Sequence, residues 1–591
     1  MADSPSIYRD RVFSYSVYSD GKKVGDEYCL TFVKVLAGMN RIGKATLKFN
    51  AGDMAAQSFD EVDADFFKPG TAIRLDAGSV EREEPIFEGL VVQLRIEVSE
   101  GERAQMVVEC RDYAYPATMG RKNRIFEQKK DSEIIAEVLG GYGQVTVDTT
   151  GSQYPLLMQY YCTDWDFALS RAEANGLFVT VRGNRFEVKK PLLNASPVLT
   201  VGYGNDLIDF DGGVTVADQF GAVEAVSWDP KQQKVVTTRA KAPELNRQGE
   251  GKTERLDEAV MELWQTDAAM DAGTLQNWVD GLALQNGLAR FEGSFMFYGC
   301  AGVVPGCTVE LKGMGNRFNG LVYAGQVEHV VEHNVWTTRV YMGVPALRIT
   351  EEPDVVAPPA SGWVPGVEGL HIGKVRKISD DPQKEHRILV ELPWLNGEKK
   401  EVWARLAAGY AGKKTGFFFY PEPDDEVVVG FFNDDPSHPV VLGSMYSSKL
   451  VPAFRPEAGN NRKGIVTREN MRLEFDEEKK VIVLSTPGDN RIEISDDGKS
   501  VTLTDQQKNK IVLDGNGICL DSARDIKLTA KGNIVLNAGV KITVEAKTDL
   551  ELGGMDIKAT AKTGFTAKGN ATAELSAAGQ TTVKGAMVMI N

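Results

Sequence analysis

The stretch DIKLTAKGNIVLNAGVKITVEAKTDLEL, residues 525–552, repeats one pattern every eight residues. Each repeat holds two large apolar residues two positions apart, such as Ile526 and Leu528, and small or polar residues typical of a turn follow them. Because successive side chains of a β-strand point to opposite faces, both residues of a pair lie on the same face. The stretch therefore predicts a row of short strands that turn one apolar face towards a common core.

Similar pairs extend this pattern in both directions. Upstream, from Leu473 to Leu520, most pairs are nine or ten residues apart and the turns are rich in Asp, which favours a meander of hairpins. Downstream, one residue is missing at Gly553-Gly554, the eight-residue spacing resumes at Ile557, and Ala gradually replaces Ile and Leu. The smaller side chains predict a taper towards the C-terminus.

A short fixed period is typical of a repeat fold. One short strand with one turn buries too little surface to form a core by itself. The period fits two arrangements: a single chain that coils with three repeats per turn, or three chains wound together, each supplying one face of a triangular prism. In either arrangement the predicted core residues are Ile526, Leu528, Ile534, Leu536, Ile542, Val544, Leu550, Leu552, Ile557 and Phe565.

The rest of the chain of 591 residues separates by pattern. The predicted parts are a strand-rich region over 1–350, a Pro-rich linker over 351–368, a small barrel of the OB kind over 369–448 and the repeats over 449–591. In the first part, Asp131 and Asp164 are predicted N-caps of two helices, and a third helix lies near Leu275. The predicted barrel strands are Arg387–Leu392, Val402–Leu406, Gly416–Tyr420, Val427–Phe432 and Val440–Met445.

Charge and composition narrow the possible partners. The formal net charge is −16 and no strong Lys/Arg cluster offsets it, so we expect neither nucleic acid nor a resting anionic membrane as a partner. No stretch reaches the ~18 apolar residues of a membrane span, and the N-terminus lacks a secretory signal pattern. The protein is therefore expected to fold in the cytosol. Its six cysteines form no CxxC pair and are predicted to be mostly buried free thiols, with a Cys300–Cys307 disulfide as a weakly supported alternative.

Few motifs in the sequence point to chemistry. The segment HVVEH, from His329 to His333, matches the HxxEH zinc protease pattern, but its Val-, Thr- and Tyr-rich context predicts a strand. On a strand, positions four apart are separated by ~13 Å, too far to share one zinc ion. The three remaining histidines are isolated, and the sequence contains neither GxSxG nor a Walker-type loop. We therefore predict no catalytic residue, no metal site and no cofactor.

The chain ends on the apolar sequence GAMVMIN. Chain termini are usually polar and frayed, and an apolar end of a repeat fold is an uncapped surface. We expect it to dock a capping partner, and simple closure of the core is the alternative. The predicted docking residues are Met587, Val588, Met589, Ile590 and Asn591.

Several segments, in the same order along the chain, resemble the VgrG family of spike proteins from contractile injection systems. They are FFKPGTAIRL and IFEGLVV, the helix segment Tyr160–Val179, the barrel segments Arg387–Leu406 and Thr415–Lys449, and the tail that ends VKGAMVMIN. The resemblance implies a mainly β protein with a tail-hub fold of two β-barrels and short helices, an OB barrel and a C-terminal intertwined three-chain β-prism, the needle. It thus favours the three-chain arrangement of the repeats.

The resemblance also implies partners. They are two further copies of the chain, an Hcp-like tube protein, baseplate proteins, a PAAR-like tip protein at residues 587–591, separate effector proteins and, on firing, a target membrane. Sheath contraction would supply the route out of the cell. No lysozyme-like domain interrupts the junction of barrel and needle, and we expect no fused toxin domain after the needle and therefore a purely mechanical role.

Two other functions remain open at this point. One is an enzyme carried on a spike scaffold, either a wall hydrolase or an HxxEH metalloprotease. The other is a phage tail hub or an extracellular injection particle instead of a type VI secretion spike.

Overall fold

The computed structural model describes residues 13–100, 103–193, 195–217, 219–241 and 260–590. It divides into two compact units after Tyr446. The helices are α1 (Asp60–Asp63), α2 (Asp131–Leu139), α3 (Asp164–Glu173) and α4 (Ala272–Leu288), and short 3-10 turns cover Asp65–Phe67, Tyr115–Thr118, Ile349–Glu351, Pro359–Gly362 and Phe432–Asp434. Within the described residues, no helix combines the length and the apolar character needed to cross a lipid bilayer.

Most of the first unit consists of strands. They are β1 (Phe13–Ser19), β2 (Lys22–Lys23), β3 (Leu30–Gly38), β4 (Lys44–Asn50), β5 (Ala72–Ser79), β6 (Arg82–Glu97), β7 (Gln105–Asp112), β8 (Lys122–Lys130), β9 (Gln144–Val147), β10 (Gln153–Cys162), β11 (Phe178–Arg182), β12 (Arg185–Lys189), β13 (Leu199–Gly202), β14 (Asp209–Val214), β15 (Ala222–Asp229), β16 (Lys234–Lys241), β17 (Met261–Thr266), β18 (Phe291–Tyr298), β19 (Thr308–Lys312), β20 (Gly320–Glu332), β21 (Val335–Met342), β22 (His371–Lys377), β23 (Ile388–Glu391), β24 (Glu401–Leu406), β25 (Ala411–Gly412), β26 (Thr415–Gly416), β27 (Glu426–Phe431) and β28 (Pro439–Ser444).

The strands of the second unit follow one another at short intervals. They are β29 (Arg462–Val466), β30 (Arg472–Asp476), β31 (Val481–Ser485), β32 (Arg491–Ser495), β33 (Ser500–Thr504), β34 (Lys510–Asp514) and β35 (Gly517–Asp521). The fold is therefore mainly β, as the sequence predicts.

One thirteen-stranded sheet dominates the first unit. Its path runs β14-β18-β21-β20-β3-β4-β7-β6-β5-β1-β2, and β19 joins β20 and carries β13. Two separate clusters of buried side chains form on it, one with Leu47 and Phe49 and the other with Phe295 and Phe297. Alternating burial along β4 and β21 shows why these segments form strands: every second side chain enters a core. The division of residues 1–350 into two barrel domains stays a prediction.

The three predicted helices are present, but the first two N-caps are wrong. Lys130, not Asp131, precedes α2, and its backbone N–H donates to Glu133. Thr163, not Asp164, precedes α3, and its Oγ1 accepts from the backbone N–H of Asp166 at 3.1 Å. Both aspartates are instead buried and bind cations, because a carboxylate taken out of water needs charged partners.

The second half of the first unit contains a closed barrel with the strand order β22-β23-β24-β28-β27. In chain order this is 1-2-3-5-4, with a parallel pair between the third and fifth strands. Its core is made of small aliphatic side chains such as Val375, Val390 and Val429. The predicted five-stranded barrel of the OB kind is confirmed, but one strand was misplaced: β22 belongs to it, whereas Gly416–Tyr420 does not.

The misplaced segment is exposed. Phe417, Phe418 and Phe419 follow the two-residue strand β26, lie outside the barrel sheet, and are 61% to 84% exposed. Three consecutive aromatic residues cannot all face a core in an alternating strand. Pro421 follows closely and lacks the N–H that a central strand needs.

A buried ion pair ties α2 to α3. Arg171 donates to Asp131 at 2.7 Å and 3.1 Å, and Tyr154 and Asn175 also donate to that carboxylate. Replacing Arg171 with Met leaves a buried carboxylate without its cation, so we expect Arg171→Met to lower the free energy of unfolding by about 3 kcal/mol.

Urea unfolding followed by circular dichroism measures this loss. The matched control is Arg95→Met, which breaks a solvent-exposed pair with Glu97 and should cost less than about 1 kcal/mol. Equal losses in the two variants would contradict the structural role assigned to the buried pair.

Candidate functional site

The second unit presents an ordered apolar surface. Strands β29 to β35 form a seven-stranded antiparallel meander in which each strand pairs with the next. The register brings every apolar pair directly opposite the next one and builds two rows across β30 to β35. The first row is Leu473, Leu484, Ile492, Leu503, Ile511 and Leu520, and the second is Phe475, Ile482, Ile494, Val501, Leu513 and Ile518.

These two rows, which we call the apolar face of the meander, are not covered within one chain. All of their residues except Leu473 are 38% to 74% exposed. By contrast, the opposite face buries Val483 and Ser495 and carries ion pairs such as Arg472 with Glu474 and Arg491 with Glu493. A folded sheet that leaves its apolar face in water marks an interaction surface.

The eight-residue repeats behave differently from the meander. From residue 522 to residue 590, which the structure describes throughout, no residue belongs to a strand. A chain that coiled on itself with three repeats per turn would pair its own strands, and residues 522–590 show no such pairing. The ten predicted core residues, from Ile526 to Phe565, are 53% to 71% exposed in the single chain. Their inward orientation stays a prediction, because it requires further chains.

The predicted docking residues at the end of the chain are also uncovered. Met587, Val588, Met589 and Ile590 are 51% to 92% exposed, and Asn591 lies outside the described residues. Their role as a docking surface stays a prediction.

The HVVEH segment lies on β20 and the turn after it, as its composition predicts. His329 sits inside the strand, whereas His333 has a φ of +49° at the turn, so the helical spacing of a zinc protease is absent. His329 does not face solvent. Its ring is buried, with Nδ1 3.0 Å from Thr338 Oγ1, and burial lowers its pKa to about 4.

Other candidate chemistry is sparse. Within the described ranges, no three His, Cys, Asp or Glu side chains lie close enough together to hold a metal ion. The six cysteines are free thiols. Cys110 and Cys300 are buried, but Cys29 and Cys519 are exposed, so the expectation of mostly buried thiols is wrong for that pair.

Two surfaces of the structure are not among the predicted sites. The sequence pattern predicts the apolar pairs of the meander as strand pairs, but they are not among the predicted core residues. The exposed Phe417–Phe419 segment is predicted as part of a strand. Three adjacent aromatic residues without alternation were a signal against that reading.

Three family models match consecutive parts of the chain. The model described as the Alg8 N-terminal domain matches residues 9–333. The type VI secretion system/phage-baseplate injector OB domain matches residues 371–446, the closed barrel. The phage baseplate V C-terminal trimerisation domain matches residues 481–548, which include most of the meander and the first repeats.

Curated relatives match over short segments. The type VI secretion system spike protein VgrG3 of Vibrio cholerae is 33% identical over 76 residues, 12% of this chain and 8% of that protein. The spike protein VgrG1a of Pseudomonas aeruginosa is 26% identical over 88 residues, 14% of each chain. The actin cross-linking toxin VgrG1 of Vibrio cholerae is 36% identical over 75 residues, 12% of this chain and 7% of that protein. The chain thus spans between 7% and 14% of the length of these relatives.

Solved structures align over longer stretches. A tail protein of Neisseria meningitidis aligns with 57% of this chain and 98% of its own length, at 12% identity and a TM-score of 0.42. An E. coli protein described as a component of the type VI secretion system aligns with 73% of this chain and 99% of its own length, at 11% identity and a TM-score of 0.36.

The closed barrel, the uncovered meander and the matching barrel and trimerisation domains define the class of this chain, which is homologous to VgrG spike proteins and to phage baseplate proteins. The chain belongs to the family described by the Alg8 N-terminal domain, whose model covers more than half of it.

The buried histidine generates a pH prediction. Since the pKa of His329 is about 4 in the folded state and ~6.5 in an unfolded chain, the unfolded state binds the additional proton as pH falls below 6.5. Stability attributable to the neutral ring is therefore complete above that pH and declines down to pH 4. Between pH 7 and pH 5 we expect a loss of about 2 kcal/mol from this group.

Urea unfolding at the two pH values checks this in the wild type and in His329→Leu. The variant lacks the titrating ring, so its stability should fall by about 2 kcal/mol less than that of the wild type over the same interval. The same pH dependence in both proteins would show that His329 is not the responsible group.

Proposed function

We propose that the protein is a trimeric spike that punctures a target membrane at the tip of a contractile injection apparatus. The observation that carries this proposal is the uncovered apolar surface of the second unit. The meander leaves two apolar rows in water, and the repeats form no strand with their own chain over the described residues 526–590. Other copies of the chain supply the missing partners.

Three copies fit these features. With three chains, the apolar pairs meet at a common axis, and strands of different chains satisfy the backbone N–H and C=O groups that one chain leaves unpaired. The match of residues 481–548 to a trimerisation domain supports the same number. The predicted core residues of the needle, Ile526 to Phe565, then face this axis.

The proposed mechanism is mechanical. A prism whose strands are all paired has no open edge, and bending it breaks many contacts at once. A stiff needle of this kind transmits axial force to a membrane without any catalytic step. The extents proposed for the parts are a hub over 1–350, a linker over 351–368, the barrel over 369–448 and the needle over 449–591.

Further partners are proposed by analogy with the spike relatives. The hub region sits on an Hcp-like tube protein and contacts baseplate proteins, and separate effector proteins are carried on the spike. The protein is assembled in the cytoplasm and leaves it when the sheath contracts. A PAAR-like tip protein covers the apolar end at Met587–Asn591.

Charge inserted into the apolar face of the meander should prevent assembly. In Leu503→Asp, three carboxylates enter one dry core, and each costs several kcal/mol without a partner. We expect this variant to sediment as a single chain under conditions in which the wild type sediments as a trimer.

The control is Thr504→Asp, the next residue of the same strand, which faces the other side. Its backbone neighbours across the sheet are Arg491 and Lys510, so a carboxylate is well placed there. This variant should remain trimeric. A trimeric Leu503→Asp protein would refute the assignment of the apolar face to the subunit interface.

The tip contact is tested by Met589→Asp. Removing a buried Met side chain costs roughly 1.5–3 kcal/mol, so binding of a purified PAAR-domain protein, measured by calorimetry, should weaken by about tenfold or more. Thr582→Asp, further from the end, is the control and should bind like the wild type. Equal affinities for all three proteins would place the tip contact elsewhere.

A further inference from the structure

The two halves of the second unit differ in what one chain can build. The meander, residues 462–521, forms a complete seven-stranded ladder from a single chain. The repeats, residues 522–590, form no ladder of their own. Both halves carry apolar pairs, which become smaller towards the end of the repeats, and the two halves differ in their backbone pairing.

We propose that the apolar face of the meander is the first surface on which two further copies of this chain dock, and that the repeats wind together only afterwards, from Ile526 towards the C-terminus. This inference rests on the proposed three-chain needle and adds the order in which that needle forms.

The composition of the apolar face identifies its occupant as another copy of the same face. Each of the twelve side chains in the two rows is aliphatic or aromatic, and no charge within the rows could select a partner of different chemistry. The charges of this sheet lie on its other face, where pairs such as Arg491 with Glu493 form within the chain. When three copies associate, their apolar faces contact one another and no charged side chain is buried without a partner.

The order follows from conformational entropy. Fixing one residue of backbone costs roughly 1–2 kcal/mol. In the meander, the hydrogen bonds between its own strands offset this cost within one chain. Its apolar face is therefore already formed before it meets another chain. The repeats gain their hydrogen bonds only from other chains, so an encounter between unpaired repeats has no preformed surface to stabilise it.

Docking of the three meanders then brings the repeats of the three chains close together. Once three meanders are joined, the repeats that follow them are tethered to one another, and a short tether gives an effective concentration of order mM. Winding thereby becomes a local process instead of a three-body encounter.

The last strand of the meander is the natural starting point for winding. β35 pairs with β34 on one side, and its other edge is open. An open edge is a template for a further strand. Ile518 of β35 is the most exposed residue of the two rows, and the next pair begins at Ile526, eight residues later, with the spacing that the repeats then keep.

The test uses two full-length variants that disable one half each. In Ile534→Asp/Leu536→Asp the meander is intact, and in Leu503→Asp the repeats are intact. Each protein is examined by sedimentation velocity and by limited trypsin digestion of the repeats, which offer Lys531, Lys541 and Lys547 as cleavage sites. Val535→Asp and Thr504→Asp are the controls, since each places one carboxylate on the opposite face of the same segment.

We expect the Ile534→Asp/Leu536→Asp variant to remain trimeric while its repeats are cleaved about tenfold faster or more than those of the wild type, because three chains held at the meander lose the protected needle. Leu503→Asp should lose both the trimer and the protection. The two controls should behave like the wild type.

Two results would overturn the proposed order. The first is a monomeric Ile534→Asp/Leu536→Asp protein, since the repeats would then be needed for the first encounter. The second is protected, trimeric repeats in Leu503→Asp. A wild-type protein that sediments as one chain would instead contradict the trimeric spike itself, so failure of the order and failure of the function give different results.

Discussion

The structure depends on one constraint: a strand needs partners for both its backbone and its apolar face. In the first unit each large sheet finds both within the chain, as the buried rows of Leu47 and Phe295 show. In the meander the backbone is paired but the apolar face is not. In the repeats neither is satisfied. The backbone groups and apolar side chains that find no partner within one chain therefore increase from the meander to the repeats.

This gradient gives each part of the chain a distinct physical task. The first unit is a conventional folded body with buried cores and buried ion pairs such as Asp131 with Arg171. The closed barrel has no open sheet edge, because β27 returns to β22. The second unit presents its apolar side chains to solvent in an ordered array. A chain built in this way is suited to assembly and to transmission of force, and a resemblance to injection spikes is consistent with that design.

Much of this could be predicted from the sequence because periodicity reports directly on which face is buried. The pairs from Leu473 to Leu520 predicted a meander, and the structure confirms it in the register that joins like pairs. The barrel and all three helices were also predictable. The number of chains was not predictable from the period, since eight residues fit one coiled chain as well as three, and residues 522–590 show no pairing with their own chain.

The errors have local physical causes. Asp131 and Asp164 have the residue type of N-caps, but cations from distant segments, Arg171 and Lys122, bind them instead. Phe417–Phe419 has strand composition without strand alternation. The burial of His329 depends on the strands β3 and β21 on either side of β20, and β3 is far away in sequence. Long-range contacts therefore decide the two aspartates and His329, whereas the Phe417–Phe419 error contradicts a local signal, the missing alternation.

The most direct test of the central claim is the mass of the intact wild-type protein in solution, measured by light scattering coupled to size-exclusion chromatography. If the repeats find their partners in other copies, the mass is three times the 64.7 kDa of one chain, independent of dilution over the accessible range. A stable mass of 64.7 kDa would contradict the account, since the uncovered apolar rows would then have to be tolerated by a single chain in water.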